Sequence, residues 1–341
     1  MILPDTYTSA LLLIILSMIC WGSWANTFKL AGTWRFELFY YDYSLGVLLA
    51  AIIAAVTFGS MGNGMVFADN LMFAGKRNMA FAIAGGVVFN LANILLVAAI
   101  SVAGLAVAFP VGIGLALVVG VIWNYLLNPQ GNPMLLAAGV TLVVGAIIVD
   151  ALAYGAHARN QKVAGGQKSA GSKGLLLSLA SGVLMGSFYP LVEIGKGQGP
   201  EAGGLGPYAV AFLFACGVFV STFIFNLYFL NLPIEGAPLS MSAYFGGNGK
   251  QHALGIVGGL IWCVGAICNF VAASAPKAVQ VGPAISYAIG QGATMVSALW
   301  GLLVWHEFRG AQTGVKLLLA LMLVLFLAGL ALVSIAPLYA G

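Results

Sequence analysis

Ten runs of mainly apolar residues recur along the chain, each about as long as a bilayer is thick, with short polar breaks between them. They cover roughly 8–31, 40–60, 79–101, 104–127, 133–156, 173–195, 207–230, 253–275, 278–303 and 314–337. About 20 apolar residues cross the hydrocarbon core as a helix. Backbone groups in lipid must be bonded internally, which leaves helices or a closed barrel. These runs are too long and too uniformly apolar for barrel strands, which alternate over about ten residues. The pattern predicts an all-α membrane protein with ten transmembrane helices.

Composition agrees: 61% of the residues are hydrophobic and 6% charged, too few polar groups to cover a soluble surface. The net charge of +4 is then a topology signal, with no soluble domain to meet nucleic acid. The first run lacks a basic leader and a small-residue cleavage site, so it reads as a retained helix. Cys20, Cys216, Cys263 and Cys268 all fall inside predicted helices without metal-like spacing, as small packing residues do. Gly166-Gln-Lys-Ser-Ala-Gly171-Ser-Lys173 approaches phosphate-loop spacing, but Ser172 stands where the lysine belongs and no strand precedes it. No cofactor or metal is implied.

A short stretch occurs twice. Trp21-Gly-Ser-Trp-Ala-Asn-Thr-Phe-Lys29 is echoed by Met185-Gly-Ser-Phe-Tyr-Pro-Leu-Val-Glu193, so that a cation in one copy meets an anion in the other. Further on, Gly85-Gly86 maps on Gly258-Gly259, Phe89 on Trp262, Ser101 on Ser274 and Pro110 on Pro283, all at one offset. Residues 1–157 therefore read as a first five-helix repeat, 158–172 as a hydrophilic linker and 173–341 as a second repeat. Five helices is an odd number, so the second copy enters the membrane in the opposite sense. Such inverted repeats are common in secondary transporters. Pro110, with Gly112 and Gly114, is expected to loosen the fourth helix.

Basic residues set the orientation. Lys29, Arg35, Arg159, Lys162, Lys168, Lys173, Lys250, Arg309 and Lys316 collect on one side, against Lys76, Arg77, Lys196 and Lys277 on the other. The linker is expected in the cytoplasm and both termini outside, in a bacterial-type inner membrane.

Asp42-Tyr43-Ser44 followed by Leu48-Leu-Ala-Ala-Ile-Ile-Ala-Ala-Val-Thr-Phe-Gly59 resembles the second-helix region of the plant ureide permeases. Phe81-Ala-Ile-Ala-Gly-Gly-Val87, Asn124-Tyr125-Leu126, Trp300-Gly301 and Glu307-Phe-Arg309 are similar to the same family. The likeness implies the ten-helix drug/metabolite transporter fold and proton-coupled uptake of oxo-heterocycles such as allantoin and uracil. The linker here is far shorter than the plant one, and Trp305-His306 precedes Glu307 where a small residue is usual. Families of the same superfamily that carry rhamnose or glucose are more faintly similar.

Ionisable groups inside membrane helices are costly and need a reason. Lys29, Glu193 and Asp150 are the candidates for proton coupling, although Lys29 and Glu193 stand near helix ends, where snorkelling is the plainer role. Asp42 and Glu37 sit at a helix start, where an anion suits the dipole. Glu307 and Arg309 read as an end pair. Uncharged polar groups suit a neutral ligand. Asn90 and Asn93 share a face of the third helix, Tyr287 and Gln291 share a face of the ninth, and Asn269 lies past Trp262 in the eighth. Trp24, in a stripe with Trp21 and Phe28, offers a ring for stacking. Each of these also has an ordinary helix-packing role.

The expectation is a secondary-active, proton-coupled importer of a small polar neutral metabolite, ureide or nucleobase first and sugar second. Its partners are the substrate, protons and the bilayer, with room left for a homodimer. A passive channel is the rival of another class, but no ring of like groups or repeated filter appears. An enzyme is not expected, since the three histidines, His157, His252 and His306, stand near predicted ends without a nucleophile.

Overall fold

The computed structural model describes residues 1–62, 64–103, 105–161, 172–233, 236–306 and 309–339. The linker residues 162–171, Gly104, Glu307 and Phe308 lie outside the described residues, as do the side chains of Ser101 and Pro110. Every described regular element is helical. In chain order they are α1 (Tyr7–Ser23), α2 (Ala25–Leu30), α3 (Phe36–Val56), α4 (Phe67–Phe73), α5 (Lys76–Ala103), α6 (Leu105–Leu127) and α7 (Pro133–Gln161). Then follow α8 (Ser172–Lys196), α9 (Pro207–Asn231), α10 (Ser242–Phe245), α11 (Gly249–Ala272), α12 (Pro283–Gly290), α13 (Ala293–Leu303) and α14 (Thr313–Ile335).

Local chemistry sets the starts. Thr6 and Ser9 form a reciprocal capping box on α1, and Asn248 and Gln251 do the same on α11. Asn132 Oδ1 accepts from the backbone of Met134 and Leu135 to cap α7. Proline opens α9 and α12, where its missing N–H costs nothing.

Among the described residues, eight helices are long and apolar enough to cross a membrane. The two expected spans outside these eight are the fourth and the ninth. The fourth is continuous helix from Leu105 through Pro110 to Leu127. The ninth is not one helix: it stops at Gly290 and restarts at Ala293, with Gln291 and Gly292 in a tight turn between. Glycines on both sides of Gln291 remove the side-chain packing that would hold the turn helical.

By contacts the chain falls into two compact units, Met1–Asn90 with Phe188–Val281, and Leu91–Ser187 with Gly282–Gly341. Each takes residues from both sequence halves.

In the first unit, glycines let helix backbones touch. A Cβ added to Gly259 of α11 would stand 2.0 Å from the Tyr43 carbonyl oxygen of α3, and one at Gly46 would stand 2.1 Å from the Ile256 carbonyl oxygen. The matching pair, α5 and α9, closes in the same way. A Cβ at Gly86 would lie 2.0 Å from the Phe214 carbonyl oxygen, and one at Gly217 2.3 Å from that of Ile83. Phe89 and Trp262, aligned by the sequence repeat, stack on each other with ring centroids 4.3 Å apart. In the second unit, α7 and α14 meet at Gly139 and Gly329, where either added Cβ would be 2.8 Å from the other residue's carbonyl oxygen.

Candidate functional site

Most of the polar residues picked from sequence are used to join helices. Asn90 is fully buried in the first unit and donates to Ser221 Oγ at 2.8 Å, Thr222 Oγ1 at 3.2 Å and the Val218 carbonyl at 3.3 Å. Its Oδ1 is buried without a partner among the described residues. Asn269 accepts from the Tyr189 hydroxyl at 2.7 Å and donates to Ser17 Oγ at 3.2 Å, which links α8, α11 and α1. Trp262 is the centre of an aromatic cluster with Phe89, Phe214 and Trp21, and Trp21 Nε1 donates to its carbonyl at 3.2 Å. Trp24 is half-buried at the one-residue interruption between α1 and α2, tilted against Tyr43 at 4.8 Å. The Tyr43 hydroxyl is buried with no partner among the described residues.

In the second unit, Tyr287 is fully buried and its hydroxyl donates to the carbonyls of Met185 at 3.1 Å and Ala116 at 3.3 Å. A Cβ on Gly120 would collide with the Tyr287 ring at 2.2 Å. Gln291 differs from these. It is buried at the turn between α12 and α13, and no hydrogen bond to its amide is present among the described residues. Asn93 is also buried in this unit, so the two asparagines expected on one face of the third helix fall either side of the unit boundary.

The ionisable candidates separate clearly. Glu193 Oε1 accepts from Lys196 Nζ at 2.8 Å, and the same ammonium reaches the Ala273 carbonyl at 3.3 Å. Lys29 is exposed, and the ammonium beside Glu193 is that of Lys196, one turn along α8. The (i, i+3) spacing was the available signal. Asp150 is buried in α7 and its Oδ1 has no partner among the described residues. Asp42, read from sequence as an anion suited to a helix start, has side-chain partners that the sequence did not indicate. Instead of merely facing the helix dipole, its oxygens meet the Tyr244 hydroxyl at 2.6 Å and His252 Nδ1 at 2.8 Å. Glu37 is held by Arg35, and of the expected end pair only Arg309 lies within the described residues, exposed.

An apolar groove of about 700 Å³ runs along the first unit, lined by Leu12, Leu16, Ile53 and Val264 among others. Its walls suit acyl chains rather than a polar solute. Among the described residues, no group of three or more His, Cys, Asp or Glu could hold a metal ion.

Long apolar helices joined by buried amides and backbone-deep glycine seams define an integral, polytopic α-helical membrane protein. The family described as ureide permease matches residues 39–175 and 166–336, and the chain belongs to that family. Ureide permease 1 of Arabidopsis thaliana is 25% identical, over 86% of this chain and 87% of its own length. Ureide permease 2 of the same plant is 24% identical over 97% and 98%. A probable ureide permease A3 of Vigna unguiculata is 32% identical over a shorter region, 27% of this chain and 26% of its own. A solved crystal structure matches with a TM-score of 0.63 at 17% identity, covering 97% of this chain and 99% of its own, which marks a shared fold.

Proposed function

We propose that this protein is a secondary-active transporter that imports a ureide of the allantoin type, driven by protons. The observation that carries the reading is the family match, which extends over both sequence halves. The structure is in keeping with it. A helix is interrupted at a buried glutamine bonded to no described residue, and broken helices are how many transporters present polar groups to a solute at membrane depth. An amide both donates and accepts, as a ureide edge requires. We assign substrate contact to Gln291 in the second unit. Asp150 is the carboxylate we assign to the coupling proton, since Glu193 is occupied by Lys196. The inverted-repeat reading, with 1–157 and 173–341 as the copies, is supported by the like use of Gly86 and Gly259 at the two seams.

Purified protein in liposomes with an inward proton gradient is expected to accumulate labelled allantoin saturably and uphill. Unsaturable downhill flux would instead mean a channel, and uptake of uracil or hexose without allantoin would reassign the substrate. Gln291→Leu is expected to weaken substrate binding by about 5- to 150-fold, the equivalent of roughly 1–3 kcal/mol for a polar partner left unbonded. Unchanged affinity in equilibrium binding would return Gln291 to a packing role.

The basic-residue excess supports a reading in which the 31–35 and 232–248 connections face the cytoplasm and residues 57–66 the outside. In a chain whose four cysteines are replaced by alanine, Lys250→Cys is expected to resist an impermeant thiol reagent on intact cells and Ser60→Cys to react. The reverse pattern would invert the orientation.

A further inference from the structure

The Asp42-Tyr43-Ser44 motif opens onto a cluster that transport as proposed above leaves unused. Asp42 lies in the second turn of α3 with its side chain only 3% exposed, whereas the His252 imidazole beside it is 26% exposed. Tyr244 Oη donates to Oδ1 at 2.6 Å, and His252 Nδ1 lies 2.8 Å from Oδ2. The three residues come from α3, from α10 in the α9–α11 connection, and from the first turn of α11. Trp34 and Tyr244 flank the imidazole edge to face, each with its ring centroid 4.8 Å away. Glycines admit this approach. A Cβ on Gly255 would stand 2.5 Å from Asp42 Cβ, and one on Gly247 2.7 Å from His252 Nε2.

We propose that Asp42, His252 and Tyr244 form a proton-fastened latch, in which a proton taken up by His252 from the aqueous end tightens the α9–α11 connection onto α3. The neutral imidazole donates its Nδ1–H to the carboxylate. When Nε2 takes a proton from water, the ring becomes a cation and the same contact becomes an ion pair. Charge-assisted bonds are roughly twice as strong as neutral ones, and histidine is the side chain whose charge changes between about pH 5 and 8. Water thus reaches the imidazole, which is part exposed, and not the carboxylate, which is buried.

The neighbouring charges are already committed or distant. Arg35 pairs with Glu37 and donates to the Ala237 carbonyl at 2.7 Å, a second tie on the same connection that does not titrate. Asn226 donates to the Glu37 carbonyl at 3.0 Å. Lys29 on α2 and Lys250 at the start of α11 are exposed, and the Tyr41 ring packs 5.7 Å from that of Tyr244. Among the described residues, Asp42 is the one carboxylate in contact with the imidazole. Burial first, and then its bond to Asp42, push the Tyr244 phenol well above its usual range, so it remains a donor throughout. The added strength is present while the imidazolium and the Asp42 carboxylate coexist, and it is lost as pH rises and the ring gives up its charge, leaving the neutral bond.

Hydrogen–deuterium exchange of the purified chain tests this. The probes are the bonded amides of the connection, among them Leu239, Tyr244, Gly246 and Gly247, each rate being divided by its intrinsic value at that pH. These amides are expected to open about fivefold more often at pH 8 than at pH 5.5. His252→Gln, which keeps a donor but no titration, is expected to bring that ratio to about one. Asp42→Asn is expected to do the same by removing the anion. Tyr244→Phe is expected to raise opening at both pH values and preserve the ratio. A ratio of about one in the native chain, or an unchanged ratio in either His252→Gln or Asp42→Asn, overturns the latch. No substrate enters the measurement, so its outcome is independent of the transport reading.

Discussion

Asp150→Asn is expected to abolish uphill accumulation while leaving exchange of substrate across the membrane intact. Asp150 sits well inside α7, 6% exposed, with Oδ1 unbonded among the described residues. Inserting a carboxylate at such a depth costs about 2.5–3.5 kcal/mol on insertion scales. A group that carries this cost without a cation beside it among the described residues needs a use, and alternation between charged and neutral forms supplies one. Asparagine keeps the size and shape but neither takes up nor releases a proton. Proteoliposomes loaded with unlabelled substrate should therefore still exchange it for labelled substrate at the native rate. Under a proton gradient, the inside and outside concentrations should simply become equal. Continued accumulation by Asp150→Asn would remove the assignment. Glu193, released from Lys196 by a Lys196→Met change, would then be the carboxylate to examine.

Gly259→Val is expected to cost at least about 3 kcal/mol of stability, at or above the upper end of ordinary overpacking. The new Cβ would stand 2.0 Å from the Tyr43 carbonyl oxygen and 2.7 Å from the Val47 nitrogen, both backbone atoms of α3. No rotamer can relieve those contacts, so α3 and α11 would have to separate along the length of the seam. A useful comparison is Gly145→Ala in α7, where the nearest atom is a leucine methyl at 4.0 Å. Alanine there gains helix propensity without a clash and should be neutral or slightly stabilising. Detergent unfolding titrations should separate the two variants widely. Similar midpoints for Gly259→Val and the native chain would mean that the seam is looser than its geometry indicates.

Eight of the spans were legible because hydrophobic length depends on the chain alone. So was the repeated pair Gly85-Gly86 and Gly258-Gly259, since close helix approach leaves a glycine in the sequence. The ninth span was misread although its signal was present: Gly290-Gln291-Gly292 sits mid-run, but uniform apolarity on either side outweighed it. The amides were harder. That Asn90 is engaged by Ser221 and Thr222, while Gln291 is bonded to no described residue, depends on the neighbouring helices and is not written in the local sequence. Asp42 shows the same limit at its extreme. Its partners Tyr244 and His252 lie 202 and 210 residues further along, and no spacing rule reaches that far.

That separation has a consequence for how the protein is made. Ser17 and Asn269 are bonded across 252 residues. At synthesis rates of about 5–20 residues per second, α1 waits between roughly ten seconds and a minute in the bilayer before α11 emerges. Throughout that interval Asp42 lacks both of its partners, and the grooves cut by Gly46 face lipid or the insertion machinery. Helices α1 and α3 thus remain without these partners until α11 is made, and α7 remains without α14 until later still.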